Sequence, residues 1–208
     1  MSKHVVVFLA EGFEEIETVT PVDLLRRAGF TVKMISISDS LSVTGSRGII
    51  LQADKHISEV NLPLAVSENK LPSAIVIPGG LNGAKNCASN PLIGSFILEM
   101  LKADKLVCAI CASPVVVLSP LGVLKNRKYT CYPGMEKELE QYCGKNWKEK
   151  TDKSQYSAEP VVYDKGVLTS SAAGTASLFS LEIIRILEGG SAAQDTADRT
   201  LFTLFSNN

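Results

Sequence analysis

Histidine is almost missing from this chain: 208 residues carry only His4 and His56. A cysteine or serine hydrolase uses an imidazole to activate its nucleophile and protonate the leaving group. His4 precedes the first apolar run, at its wrong end for that task, and His56 falls in a β excursion away from it. The same scarcity argues against zinc, whose structural sites take four ligands in paired spacings, so no metal is expected. Charge of one sign is lacking too. Lys and Arg number 21 against 22 Asp and Glu, a net charge of -1, which leaves no electrostatic case for nucleic acid or an anionic membrane as main partner. Long apolar runs are absent. The first one, Val5–Ala10, is too short to span a bilayer and lacks a small-residue cleavage pattern. The cysteines number five, an odd count that suits a reduced, cytoplasmic setting better than a disulfide framework.

What remains is an ordinary globular composition, 45% hydrophobic and 21% charged, with length for one domain over 1–208 and a substantial core. Val5–Leu9 reads as a strand buried on both faces. A carboxylate-rich loop, Glu11–Thr18, leads to a helix from about Thr18 to Ala28, with Pro21 early in it and Gly29 as its stop. Phe30–Ile37 is the next strand, and Ser42–Ala53 is a β excursion around two glycines. Ser73–Ile77 ends in the turn Pro78–Gly80. The spacing of Ile93, Phe96, Ile97 and Met100 predicts a helix from about Asn90 to Lys102. Further on come a strand and turn at Lys128–Gly134, a helix at Met135–Tyr142 and a charged loop, Gly144–Ser154, with Trp147 as a surface plug. The chain closes with a hairpin around Asp164–Gly166, an amphipathic helix to Leu187 and a last helix, Ala192–Phe205. Strands alternating with helices imply a doubly wound, mostly parallel α/β sheet, with function gathered beyond the carboxyl ends of its strands.

Three turns fall at that edge. In Lys105–Pro114 a buried strand runs into a sharp turn carrying Cys111, and Pro114 suits the first turn of a following helix. Such a nucleophile elbow would aim the Cys111 sulfur at unpaired amides and the positive end of a helix dipole, favouring thiolate. A buried, inert thiol is the plain alternative. Cys108 and Cys111 spell C-x-x-C, but strand alternation would send the two side chains to opposite faces. In the second turn, Glu17 in a low-dielectric crevice beside an anion would stay protonated and donate to the thiolate; the alternative is a solvated helix start, which fits Glu14 or Glu15. In the third, Gly79 and Gly80 permit close backbone approach, and the amides of Gly80 and Ala112 would suit an oxyanion. The alternative there is merely a tight turn.

These stretches resemble the ThiJ/PfpI superfamily, and within it the parkinsonism-associated deglycase (DJ-type) branch. The resemblance is carried by Glu14-Glu-Ile-Glu-Thr18, Pro21-Val-Asp-Leu-Leu-Arg-Arg-Ala-Gly29, Ile77-Pro-Gly-Gly80, Ala109-Ile-Cys-Ala112, Thr130-Cys-Tyr-Pro-Gly134 and Thr169-Ser-Ser-Ala-Ala-Gly-Thr175. It implies a flavodoxin-like sandwich, a homodimer without a bound cofactor, a nucleophile at Cys111, a protonated glutamate at Glu17 and an oxyanion-binding glycine at Gly80. The implied activity is cysteine-dependent handling of reactive dicarbonyls: methylglyoxal to lactate without glutathione, or deglycation of protein. A redox sensor or chaperone working through Cys111 oxidation is the second reading. A peptidase or amidase is the third and is disfavoured, because the peptidase branch has histidine where this chain has Ala112. Two further departures are Cys131-Tyr132, where some members carry histidine, and Ser171, where several carry arginine.

Overall fold

The computed structural model describes residues 4–202. Its strands are β1 (His4–Leu9), β2 (Thr31–Ser36), β3 (Ser42–Thr44), β4 (Ile50–Gln52), β5 (Lys55–His56), β6 (Ala74–Ile77), β7 (Leu106–Ile110), β8 (Lys128–Tyr129), β9 (Gln155–Tyr156), β10 (Val161–Asp164) and β11 (Val167–Ser170). The helices are α1 (Glu15–Arg27), α2 (Leu62–Ser67), α3 (Leu81–Ser89), α4 (Pro91–Lys102), α5 (Leu139–Cys143), α6 (Trp147–Lys150), α7 (Ala176–Glu188) and α8 (Gly190–Arg199). Seven strands form the central sheet in the order β10-β11-β7-β6-β1-β2-β5. All its pairings are parallel except β10 against β11. Within it, β2-β1-β6-β7-β11 is the flavodoxin-like order, whose direction of winding reverses between β1 and β6.

Alternation along the strands sorts the core into two layers. Val5 and Val7 of β1, Val76 of β6 and Cys108 and Ile110 of β7 face one layer, closed by Leu25 of α1 and by Phe179 and Ile183 of α7. Val6 and Phe8, Ile75 and Ile77, and Val107 and Ala109 face the other, closed by Ile93, Phe96, Ile97 and Met100 of α4. The helical spacing of those four residues is thus the buried stripe it suggested. Phe8 and Phe96 meet edge to face at 5.6 Å between centroids.

Several boundaries differ from the sequence reading. Helix α1 begins at Glu15, so Pro21 lies in its interior and no proline N–H answers the Glu17 carbonyl. Helices α2 and α3 occupy stretches to which the sequence reading gave no element, α6 lies in the stretch read as a charged loop, and Met135–Tyr142 divides into a tight turn and α5. His56 lies on β5, the edge of the main sheet, rather than in the β3–β4 hairpin. Trp147 is half-buried against the larger layer. The last helix starts at Gly190 and ends at Arg199; positions 203–205 of the expected helix lie outside the described residues. Among the described residues no helix is long and apolar enough to cross a membrane.

Phe8 is fully buried at the centre of the larger layer. Phe8→Ala should lower the unfolding free energy by about 3–5 kcal/mol, measured by urea denaturation; a loss below about 1 kcal/mol would contradict the packing described.

Candidate functional site

The loops after β1, β6 and β7 converge at the carboxyl edge of the sheet, beside the β1–β6 reversal. Cys111 follows β7 directly, and its backbone is left-handed, φ 63°. For a residue with a Cβ that conformation costs about 1–2 kcal/mol, so the surroundings must impose it. They do so by clamping the turn on three sides. The Cys111 N–H donates to Ser170 O at 2.9 Å, Tyr132 N–H donates to Cys111 O at 2.8 Å, and Ser113 Oγ donates to Pro78 O at 2.6 Å. Helical bonding starts at once, with Val116 N–H on Ala112 O, and then widens so that Ser119 N–H reaches Pro114 O.

This turn corrects the alternation argument for Cys108 and Cys111. β7 ends at Ile110, and the left-handed residue brings Cys111 against the same apolar layer that encloses Cys108. Both are free thiols, as are Cys87, Cys131 and Cys143. Among the described residues no group of His, Cys, Asp and Glu is arranged to hold a metal ion.

Glu17 reaches the elbow from the first turn of α1 rather than from a loop. Glu14 caps that turn, its Oε2 accepting the Glu17 N–H at 2.7 Å. The Glu17 side chain is fully buried. Its Oε2 accepts the Gly79 N–H at 2.8 Å; Oε1 is buried without a hydrogen-bond partner, and the carboxyl as a whole is coupled to the Cys111 side chain. Burial first, then the Glu14 charge, pushes the Glu17 carboxyl up to about 7 against the pull of Cys111 and the Gly79 amide. Burial also pushes the Cys111 thiol up, and an ionised Glu17 beside it pushes further, while the amides of Ala112 and Gly80 draw it down. A proton on Glu17 removes the repulsion and makes the carboxyl a donor for the sulfur it is coupled to. The two groups therefore titrate as a pair.

The glycines divide the work. A Cβ on Gly79 would sit 2.6 Å from Cys111 Cβ and in collision with Glu17 Oε2, so only glycine lets nucleophile and carboxyl meet. Its amide is committed to Glu17, and its part is steric rather than a contact to ligand. Gly80 has φ 80°, and a Cβ there would collide with Gly12 O and lie 2.8 Å from Glu14 N. The Gly80 and Ala112 amides point at the sulfur, and both residues line an open cleft of about 820 Å³ around Cys111 and Glu17.

The cleft also contains residues to which the sequence reading gave no role in a site. Arg47 comes from the β3–β4 hairpin, Leu81 from α3, Tyr132 from the turn after β8, and Glu138 and Tyr142 from the α5 region. Arg47 is placed by Glu15, which is buried rather than solvated. Glu15 Oε1 accepts the N–H of Arg47 at 2.6 Å, and Oε2 accepts from Ser46 Oγ at 3.1 Å. The histidines stay away: His4 opens β1 at the opposite edge of the sheet, and His56 caps a turn on edge strand β5. Ser171 donates its N–H to Pro160 O at 3.1 Å, while its neighbours Ala172–Gly174 line the cleft.

A flavodoxin-like sandwich with a cysteine on a strained strand-to-helix elbow, faced by a buried glutamate, defines the class of protein. The particular family is DJ-1/PfpI, to which this chain belongs: the family's profile matches residues 3–186. The chain is 37% identical over 198 residues to protein DJ-1 homolog A of Arabidopsis thaliana, covering 95% of this chain but 46% of that protein; it spans about half the length of that relative. It is 32% identical to protein dj-1beta of Drosophila melanogaster, covering 95% of this chain and 96% of that one. The crystal structure of Drosophila DJ-1beta superposes with a TM-score of 0.83 at 31% identity, covering 97% and 98% of the two chains. A third relative, 28% identical and covering 86% of this chain and 88% of its own, is the glutathione-independent glyoxalase DJ-1 of Schizosaccharomyces pombe.

The raised Glu17 carboxyl sets a pH dependence. An unfolded chain releases this proton near 4.5 and the folded one near 7, so between those values the folded state binds more protons and stability falls as pH rises, by on the order of 3 kcal/mol in all. Urea unfolding of Glu17→Gln should lack this decline. An equal decline in the variant would show that Glu17 is not its source.

Proposed function

We propose that this protein converts 2-oxoaldehydes to 2-hydroxy acids without glutathione, with methylglyoxal going to lactate, and that Cys111 is its nucleophile. The observation that carries the reading is the fully buried Glu17 carboxyl, coupled to the Cys111 side chain and bonded to the Gly79 amide. A buried carboxyl with one amide donor, a thiol neighbour and one oxygen left without a partner is built to hold a proton. The thiolate adds to the aldehyde carbon, and the resulting oxyanion takes the amides of Gly80 and Ala112. Glu17 gives its proton to the neighbouring carbonyl oxygen, removes the hydrogen from the former aldehyde carbon and returns it to the adjacent carbon. Water then hydrolyses the thioester. One carbon is oxidised, its neighbour is reduced and one water is consumed, so no cofactor is called for. The relative named as a glyoxalase supports the reading. The same adduct chemistry would serve a glycated protein as substrate, the deglycase form of the activity.

A second reading, a redox sensor or chaperone, uses the same geometry: a protonated Glu17 and the amides that face the sulfur would equally hold an oxidised Cys111. A peptidase is disfavoured, since neither histidine approaches the elbow. We place the protein in a reducing cytoplasm, in keeping with five free thiols, and as a homodimer. The dimer face we assign is the outer side of α1 with the β3–β4 hairpin, where Ile16 and Ile49 are each 54% exposed and Ile50 is 64% exposed.

Incubated with methylglyoxal alone, the wild type should form lactate, Cys111→Ser none, and Glu17→Gln about a hundredth or less of the wild-type rate. Full turnover by Cys111→Ser would refute the mechanism. A wild type that forms no lactate but is readily oxidised by peroxide at Cys111 would favour the sensor. In sedimentation velocity Ile50→Glu should shift a dimer to monomer; an unchanged dimer would place the interface elsewhere.

A further inference from the structure

We propose that the preferred substrates are 2-oxoaldehydes carrying an aryl group rather than a methyl group. This extends the glyoxalase reading and rests on it. The cleft of about 820 Å³ lies in the range that encloses drug-sized ligands, and a three-carbon dicarbonyl would leave most of it unused. Beyond the reacting groups the lining holds a set of apolar and aromatic side chains, together with Asn82 and Glu138. Leu81, Tyr132, Pro133, Met135 and Tyr142 all line it.

Two of these border the reaction centre. Leu81 follows Gly80 directly, and the Tyr132 N–H is bonded to Cys111 O at 2.8 Å. Both side chains are open to solvent, Leu81 at 46% and Tyr132 at 50% exposure. Burying such groups against a ligand is favourable, and a tyrosine face gains further by packing with another ring. Ser46 and Arg47, on the hairpin assigned above to the dimer face, also line the cleft, so the apolar substituent of a bound aldehyde is matched by Leu81 and Tyr132 rather than by that hairpin. With an aryl substrate the chemistry is unchanged. Cys111 Sγ bonds to the aldehyde carbon, hydrogen moves from that carbon to its neighbour, and water releases the arylglycolate with no outside oxidant or reductant.

The test compares initial rates for phenylglyoxal, giving mandelate, with those for methylglyoxal, giving lactate, in the wild type, Leu81→Ala, Tyr132→Ala and Tyr132→Phe. The wild type should favour phenylglyoxal in kcat/KM by about tenfold or more. Leu81→Ala and Tyr132→Ala should each shrink that ratio severalfold, chiefly through KM for the aryl substrate, and Tyr132→Phe should restore it. Methylglyoxal turned over as well as phenylglyoxal, or a ratio untouched in both alanine variants, would overturn the aryl preference while leaving the glyoxalase reading standing. No product from either aldehyde would overturn the glyoxalase reading and this extension together.

Discussion

The left-handed backbone at Cys111 is the constraint on which the rest of the site depends. A strand residue would lie flat against a neighbour and a helix residue would be screened by the turn before it. A single αL residue between the two lifts the sulfur into the crevice. The conformation is unfavourable for cysteine, and it persists because three separate segments hold it: the end of β11 through Ser170, the turn after β8 through Tyr132, and the turn after β6 through Pro78. The strain is local, and what offsets it is the completed sheet.

Glu15 and Glu17 show how one helix turn sets two carboxyls to opposite tasks. Both are buried, and burial alone would raise both. At Glu15 the amides of Arg47 and Ile49 and the hydroxyl of Ser46 more than offset it, and the carboxyl is held below its usual range. It is a charged clamp that fastens the β3–β4 hairpin to the cleft. Glu17 receives one amide and faces Glu14 and a thiol, and it is pushed up to about 7. Deeper burial together with fewer donors makes Glu17 the proton carrier, while shallower burial and several donors make Glu15 the anchor.

Much of the frame was legible in the chain. β1, β6 and β7 are continuous apolar runs, and α4 has its stripe at helical spacing. Helix α3 was not, because Asn82, Gly83, Asn86 and Ser89 are poor helix formers; it is held by a Gly80 start and by Ala84 and Cys87 packing into the core. The start of α1 was set too late because a run of glutamates looks like a solvated loop, and the cap from Glu14 to the Glu17 amide is visible only once formed. Cys111, Glu17, Gly80 and Ala112 were readable as neighbours, since all sit where strands end. The far walls of the cleft, Arg47 and Tyr142, were not, since they arrive from segments whose local pattern carries no mark of the site.

By itself the sequence determined the alternation of strands and helices, and with it the edge of the sheet where the reactive groups gather, because burial patterns are local and periodic. It also settled the chemical inventory: one elbow thiol, carboxyls nearby and no histidine to serve them. Only the tertiary structure decided which glutamate keeps a proton, which amides face the sulfur and how wide the cleft is. Those properties depend on desolvation and on donor counts at close range, and both are set by residues far apart in the chain.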